Sequence, residues 1–293
     1  MRIQFDSSRP RPPSRLAFVL GSGGVRSIAA VGIAERLARE GIAPQLITGC
    51  SSGALFGATL AMGMRGDEAL RCATSLWSAE LTQQRRWRAY AELIAPKLVG
   101  FSPGFALRDD RLIAQRIGRA FGERRLEDLP IPLRIAATDA STGTAVLLSR
   151  GSLATAVRAS IALPFIFPSV EVDGRRLVDG VISDPLPLQA ARDADVIVAL
   201  GFMGGLPRKI DRPSRLFAQS STTLINNLMR ARTAAAEAAG QHVIHIDLAL
   251  ARRVGLWETA AMPYLFEAGQ RAAERHLPDL IRALERTPAR NAA

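Results

Sequence analysis

Residues 45–62 read QLITGCSSGALFGATLAM, and the punctuation of this stretch decides the fold class. The apolar run Gln45 to Thr48 suits a short buried strand, and Ala54 to Met62 suits a helix. Between them stands Gly49-Cys50-Ser51-Ser52-Gly53, a G-x-S-x-G. Between a strand and a helix, the two glycines remove side chains that would clash in a sharp turn, so Ser51 can hold a strained backbone with its hydroxyl exposed. The helix that follows aims its N-terminal dipole at developing negative charge. Ser51 is the candidate nucleophile, supported by Gly49 and Gly53.

The same grammar occurs upstream. Leu16 to Leu20 is apolar and stops at Gly21-Ser22-Gly23-Gly24-Val25-Arg26. Ile28, Val31, Ile33, Ala34 and Leu37 then recur at roughly helical spacing from Arg26 to Glu40. Strand, turn and helix, repeated twice, open a parallel α/β sheet. The glycine turn reads as a nest of backbone N–H groups for an anion, either a nucleotide pyrophosphate or the oxyanion of an acyl-transfer intermediate. Arg26 occupies the sixth position of G-x-G-x-x-G, which breaks the dinucleotide fingerprint, and no Gly-Lys-Ser/Thr follows to make a P-loop.

Further along, Arg65 to Ile94 and Asp110 to Phe121 read as helical, and Leu133 to Thr138 and Ala145 to Leu148 as strands. Asp173-Gly174 between Val170–Val172 and Arg176–Val178 signals a tight hairpin. Val196 to Leu200 and Val243 to Ile246 read as buried strands, and Ser214 to Ala239 and Pro263 to Arg286 as helices. No repeat or linker divides this body. The expectation is one domain over 15–290, preceded by a flexible Arg/Pro-rich tail at 1–14, with Gly201 to Pro213 as a candidate mobile segment.

The chain has 293 residues, 48% of them hydrophobic and 22% charged, which supports a sizeable core and excludes disorder or a fibrous repeat for the body. Its formal net charge is +11, and all but two of its 38 Lys and Arg residues are arginine. Such an excess suits anionic lipid, nucleic acid or a merely solvated surface, so charge alone does not choose the partner. Two cysteines, Cys50 and Cys72, make no disulfide framework and no C-x-x-C zinc pair, which points to a reducing compartment. Met1 to Arg15 lacks the apolar stretch of a secretory signal, so a cytoplasmic location is expected. The uncharged run Ile42 to Met64 is long enough for a membrane span, but Pro44, Gln45, Thr48, Ser51, Ser52 and its glycines break it into strand, turn and helix.

A base for Ser51 is less obvious. Histidine is the default, and the chain offers His242, His245 and His276, none within a recognisable motif. A carboxylate is the other option, and here several segments act together. The glycine loop ending in Arg26, the turn at Ser51, Ala136-Ala-Thr-Asp-Ala-Ser-Thr-Gly143, Ala159-Ser-Ile-Ala-Leu-Pro164 and Leu177-Val-Asp-Gly-Val-Ile-Ser-Asp-Pro-Leu-Pro187 stand in one order. In that order and spacing, over about Leu16 to Leu200, the chain resembles the patatin-like phospholipases, most of all their compact bacterial members.

The resemblance implies a single-domain three-layer α/β/α fold with a mainly parallel central sheet and a nucleophile elbow between strand and helix. It implies a Ser–Asp dyad without histidine: Ser51 as nucleophile, Asp179 (followed by Gly180) as general base, and Gly23, Gly24 and, less closely matched, Val25 as the oxyanion loop. Gly21 and Arg26 support that loop. It implies lipid acyl esters as substrates, of the phospholipase A or lysophospholipase type, and no metal or organic cofactor. Asp173 then reads as a hairpin turn and Asp184 as structural. Two positions depart from the family pattern: Ser27 stands where glycine is usual, and Val181 where glycine or alanine is usual. The expectation is that they narrow the site or weaken activity, and neither removes a reacting group.

Two other readings stay open: a histidine-dependent triad hydrolase, and a non-catalytic or regulatory protein of this family that binds lipid. In Gln83 to Ile94, Trp87, Tyr90 and Ile94 share a helical face beside Arg85, Arg86 and Arg88. That pattern suits either peripheral contact with an anionic membrane, at its inner surface, or aromatics packed on the core. No nucleic-acid reading module accompanies these residues, so nucleic acid is not an expected partner.

Overall fold

Five-residue runs without a charge, buried at every position, occupy the centre of the molecule. In the computed structural model, which describes residues 15–286 apart from 84, 103 and 208, they form a sheet covered on both sides by helices. The tail at 1–14 and residues 287–290 lie outside the described residues.

The strands are β1 (Leu16–Leu20), β2 (Leu46–Cys50), β3 (Leu133–Asp139), β4 (Ala145–Leu148), β5 (Val170–Val172), β6 (Arg175–Asp179), β7 (Val196–Leu200) and β8 (His242–His245). The helices are α1 (Ala29–Ala38), α2 (Ser52–Ala61), α3 (Gly66–Leu76), α4 (Trp87–Ile94), α5 (Pro96–Val99), α6 (Arg111–Phe121), α7 (Leu153–Ser160), α8 (Pro213–Ala238) and α9 (Met262–Arg286). The hydrogen-bonded order is β5-β6-β3-β2-β1-β7-β8, with β4 also paired to β3. The stretch β3-β2-β1-β7-β8 is parallel, whereas β4 and β6 run antiparallel to β3, and β5 antiparallel to β6. The sheet is therefore mixed around a parallel centre.

Side-chain alternation assigns the layers. Leu16, Phe18 and Leu20 of β1 join the large core beneath α1, α2 and α9, whereas Ala17 and Val19 point to the opposite face and pack with Leu186, Leu188 and Met229, the last from α8. The run 42–64 divides into β2, a turn and α2, as its polar residues require. Among the described residues no helix is long and apolar enough to cross a membrane.

Two elements differ from the periodicity reading. Residues 65–94 are not one helix: α3 ends at Leu76, and Trp77 and Ser78 turn extended. Trp77 leaves the helix to stack on Trp257, ring centroids 4.7 Å apart, and this tertiary contact overrides the local helical pattern. Residues 153–160, not read as an element, form α7, capped by the Ser152 hydroxyl, which accepts from Thr155 N–H at 3.3 Å.

Candidate active site

Strand register brings the two expected reacting groups together. Ala136 and Ala137 of β3 both have β4 on one edge, opposite Leu147 and Val146. On the other edge, Ala136 faces Cys50, the end of β2, and Ala137 faces Asp179, the end of β6. Strands β2 and β6 thus approach along the same edge of β3 from opposite directions and stop at adjacent rungs. The residue after Cys50 is Ser51, and its Oγ donates to Asp179 Oδ2 at 2.7 Å.

Ser51 has φ 57° and ψ −127°, a left-handed conformation that disfavours any residue with a Cβ. Its surroundings hold it there. The Ser51 N–H donates to Ser160 Oγ at 2.8 Å, and the Ser160 hydroxyl donates to the Ala136 carbonyl at 2.7 Å. The Ser51 carbonyl accepts from Ala54 N–H at 2.9 Å and Leu55 N–H at 3.2 Å. The flanking glycines are required by contact. A Cβ at Gly49 would lie 2.6 Å from Ala54 Cα, and one at Gly53 would lie 2.1 Å from the Leu20 carbonyl oxygen.

Asp179 is buried and has no ion pair among the described residues. Its Oδ1 accepts from Val181 N–H at 2.8 Å and faces Cys50 Sγ at 3.9 Å, while its own carbonyl accepts from the Thr138 hydroxyl at 2.9 Å. Burial pushes the carboxyl up to about 7, against the opposing pull of the hydrogen bonds from Ser51, Val181 and Cys50. A group poised near neutrality suits proton exchange with a hydroxyl. Gly180 packs so tightly over the β2–β3 junction that a Cβ would come within 2.6 Å of the Ala136 carbonyl oxygen. Val181 offers its N–H to the carboxylate and its side chain to an apolar wall with Cys50, Ala136, Leu163 and Ile225.

The glycine loop lies beside the elbow, but its amides are not equivalent. Gly23 N–H donates to Ser52 Oγ at 3.2 Å, and Val25 N–H donates to the Leu256 carbonyl at 2.9 Å. Gly24, at φ 61°, has no acceptor for its N–H among the described residues. Ser27 explains the fate of Gly23. The Ser27 hydroxyl lies 3.2 Å from the Gly21 carbonyl and 2.9 Å from Ser52 Oγ, both serines being buried. With the Ser27 proton on Gly21, the bonds run Gly23 N–H to Ser52, Ser52 O–H to Ser27, and Ser27 O–H to Gly21. The departure from glycine at position 27 thus ties the loop to the elbow helix. Arg26 Nε donates to the Gly23 carbonyl at 3.1 Å, and its guanidinium lies over the Phe202 ring, 4.9 Å from the centroid.

Ser51, Asp179, Gly23, Gly24 and Arg26 all open on one cavity of about 190 Å³, walled by apolar side chains that include Trp77, Leu163, Phe167 and Trp257. The segment read as mobile enters this wall through Phe202, and Gly204 is clamped by Asn226, which accepts from its N–H at 2.8 Å and donates to its carbonyl at 2.9 Å. Among the described residues that line the cavity there is no histidine. His242 and His245 sit on β8, three strands across from β2 or about 14 Å at ordinary strand spacing, and His276 lies on α9. Asp173 forms the β5–β6 hairpin with φ 49°, and Asp184 lies 3.1 Å from Arg232 Nε, outside the cavity. Among the described residues no three His, Cys, Asp or Glu side chains group as metal ligands do.

The model of the patatin-like phospholipases matches residues 18–192, more than half of the chain, and that span holds the glycine loop, the elbow and Asp179. The chain belongs to this family. Its members are lipid acyl hydrolases. An NTE family protein of Mycobacterium tuberculosis is 38% identical over 192 residues, covering 65% of this chain and 49% of the relative. Patatin-like phospholipase domain-containing protein 7 of Rattus norvegicus is 33% identical over 190 residues, 63% of this chain and 13% of that protein. The chain thus spans about half the length of the mycobacterial relatives it matches. Among solved structures, full-length ExoU in complex with SpcU from Pseudomonas aeruginosa aligns with a TM-score of 0.48 at 14% identity, covering 94% of this chain and 53% of that chain.

Ser160 is the site residue that sequence reasoning passed over: it stood within a recognised segment, but nothing local showed that its hydroxyl would reach the elbow. Ser160→Ala is expected to leave the Ser51 N–H without an acceptor. The variant should lose about 1–3 kcal/mol of stability and a larger share of kcat than of substrate affinity. Chemical denaturation and steady-state kinetics on a soluble ester check both; unchanged kcat would show that the elbow does not depend on Ser160.

Proposed function

We propose that this protein is a serine acyl-ester hydrolase acting on lipids, of the phospholipase A or lysophospholipase type, through a Ser51–Asp179 dyad. The observation that carries the reading is the 2.7 Å contact between Ser51 Oγ and Asp179 Oδ2 at a positive-φ elbow. Asp179 takes the Ser51 proton as Oγ attacks the ester carbonyl, and the negative charge moves to the carbonyl oxygen. That oxygen is held by the glycine loop at Gly23 and Gly24, with Gly24 N–H as the amide free to donate at once; Gly23 N–H joins when Ser52 releases it, whereas Val25 N–H stays bonded to the Leu256 carbonyl at 2.9 Å and takes no part. Collapse of the tetrahedral intermediate breaks the ester C–O bond, and Asp179 returns the proton to the leaving alcohol. Water then attacks the acyl-Ser51 ester with Asp179 again as base, releasing the fatty acid and restoring the hydroxyl. The apolar cavity wall suits an acyl chain.

A fluorophosphonate probe, with the labelled residue located by mass spectrometry, tests this without knowledge of the lipid. Ser51 is expected to be labelled at a rate that rises with pH through about 7, because Asp179 acts as base only when ionised. Asp179→Ala should lose the labelling, and the variant lacking His242, His245 and His276 should keep it. Folded protein that stays unlabelled would instead favour a lipid-binding role without catalysis.

A further inference from the structure

Phe165 is a bulky residue at φ 67°, and it is 55% exposed. Strain and exposure of an aromatic ring are both unfavourable in an isolated chain. The backbone is nevertheless fixed there: the Phe165 carbonyl accepts from Leu107 N–H at 2.8 Å, and the Ile166 carbonyl from Arg108 N–H at 2.9 Å. The ring continues a row of phenylalanines from three separate segments. Phe101 stacks on Phe105 at 5.4 Å, Phe105 meets Phe165 edge-on at 6.2 Å, and Phe165 meets Phe217 edge-on at 5.9 Å. Phe101 is 60% and Phe217 61% exposed.

This row joins two surface segments of the same character. Around α4 and α5, Trp87, Leu93, Ile94 and Leu98 are exposed, so of the face Trp87, Tyr90 and Ile94 the two ends point outward while Tyr90 is half-buried against the Trp87 ring. Before and within the start of α8, Leu206, Ile210 and Leu216 are exposed. Each segment is basic. Residues 85–101 hold Arg85, Arg86, Arg88 and Lys97 against one carboxylate, Glu92, which is buried and paired with Arg88. Lys209, Arg212 and Arg215 flank the second, with Asp211 as its acid. The face also adjoins the Ser51 cavity, because Leu163 and Phe167 on either side of Phe165, and Thr222 and Ile225 beyond Phe217, line that cavity.

We propose that this face docks the protein on an anionic bilayer and opens the Ser51 cavity toward it. The proposal rests on the lipid hydrolase reading for its purpose. Charge selects the occupant: an apolar centre set among arginines fits the acyl region and phosphate layer of an acidic membrane, whereas a second copy of the face would bring like charges together. The strain at Phe165 is then understandable as the means of holding a ring outward where lipid can cover it.

The test uses the full chain with Ser51→Ala, so that no lipid is consumed, and sedimentation with vesicles of phosphatidylcholine alone or mixed with phosphatidylglycerol. Binding is expected to the mixed vesicles, weakened by salt. Phe217→Ser and Leu98→Ser should each lower partitioning by about tenfold. Phe165→Gly should lower it similarly while leaving the thermal midpoint unchanged or higher, since glycine accepts the backbone conformation without strain. Absence of binding to the mixed vesicles overturns the proposal, as does binding indifferent to these substitutions, or self-association that the same substitutions abolish. Fluorophosphonate labelling of Ser51 is read separately: labelled protein that ignores vesicles keeps the hydrolase reading and discards the docking face, whereas vesicle binding through this face with Ser51 unreactive does the reverse.

Discussion

Asp179→Asn is expected to abolish turnover and, at neutral pH and above, to make the protein more stable. The first effect follows from the loss of the base, worth about 10²–10⁴ in rate for a positioned group. The second follows from burial. The Asp179 carboxyl is pushed up to about 7 in the folded protein, well above its value in the unfolded chain. Between about pH 4 and pH 7 the unfolded chain has released this proton while the folded protein still holds it. Stability therefore falls as pH rises through that window, by roughly 1.4 kcal/mol for each pH unit separating the two titrations, and stays low above it. Asparagine carries no charge to bury. Its carbonyl can accept from Val181 N–H and its amide can donate to Ser51 Oγ, so the contacts at 2.8 and 2.7 Å both keep a partner. Thermal midpoints of both proteins at pH 5 and pH 8 check this; the gap should widen at the higher pH. A variant less stable at pH 8, or one that still turns over ester, would remove Asp179 from the role of buried base.

On the proposed mechanism, the stability lost at Asp179 is what equips a carboxylate to work on serine. An exposed aspartate would be fully ionised and too weak a base for a hydroxyl, and an ion-paired one weaker still. Here desolvation raises its basicity, and the hydrogen bonds from Ser51, Val181 and Cys50 keep enough of the anion present near neutrality for it to accept a proton. In the proposed dyad the buried carboxylate acts directly, without the imidazole that a triad would place between hydroxyl and carboxylate.

Much of this arrangement was legible locally because local rules decide it. The bounds of β1, β4 and β7 coincide with apolar runs closed by turn residues, and the Asp173-Gly174 hairpin sets the register that ends β6 at Asp179. The elbow was legible because both its glycines are steric requirements and leave a pattern. The outward-facing α4 was visible as a pattern but not as an orientation, since periodicity shows that a helix has two faces and not which one is covered. Ser160, Trp77 and Trp257 could not be read, because each acts through a partner distant in sequence: Ser160 through Ser51, and the tryptophans through one another. Ser27 was visible as a departure and looked like an encumbrance. Its hydroxyl instead completes a buried hydrogen-bond run whose other members, Gly21, Gly23 and Ser52, come from two different turns.

Gly53→Ala should be severely damaging, and Gly57→Ala, one helical turn later, should be far milder. Both residues lie on α2, where alanine is the better helix former by about 1 kcal/mol, so propensity favours both changes equally. What separates them is the neighbour. At Gly57 the new Cβ would meet Ile47 Cγ2 at 3.2 Å and Leu20 Cδ1 at 3.3 Å, side-chain methyl groups that need give way by only a few tenths of an ångström, with no backbone atom in the way. At Gly53 it would meet the Leu20 carbonyl oxygen at 2.1 Å and carbon at 2.6 Å, and the Gly21 oxygen at 2.7 Å, all backbone of β1 and the loop after it. Strand β1 is paired on both sides, to β2 and β7, and cannot retreat. Helix α2 must therefore lift, taking Ser51 away from Asp179 and parting Ser52 from Gly23. A loss of about 3 kcal/mol or more is expected, with labelling of Ser51 abolished in whatever protein remains folded. Denaturant unfolding and fluorophosphonate labelling of both variants, side by side, decide the matter. If Gly53→Ala unfolds at the same denaturant concentration as the parent and labels at the same rate, the elbow is not held against β1 in the way these contacts require.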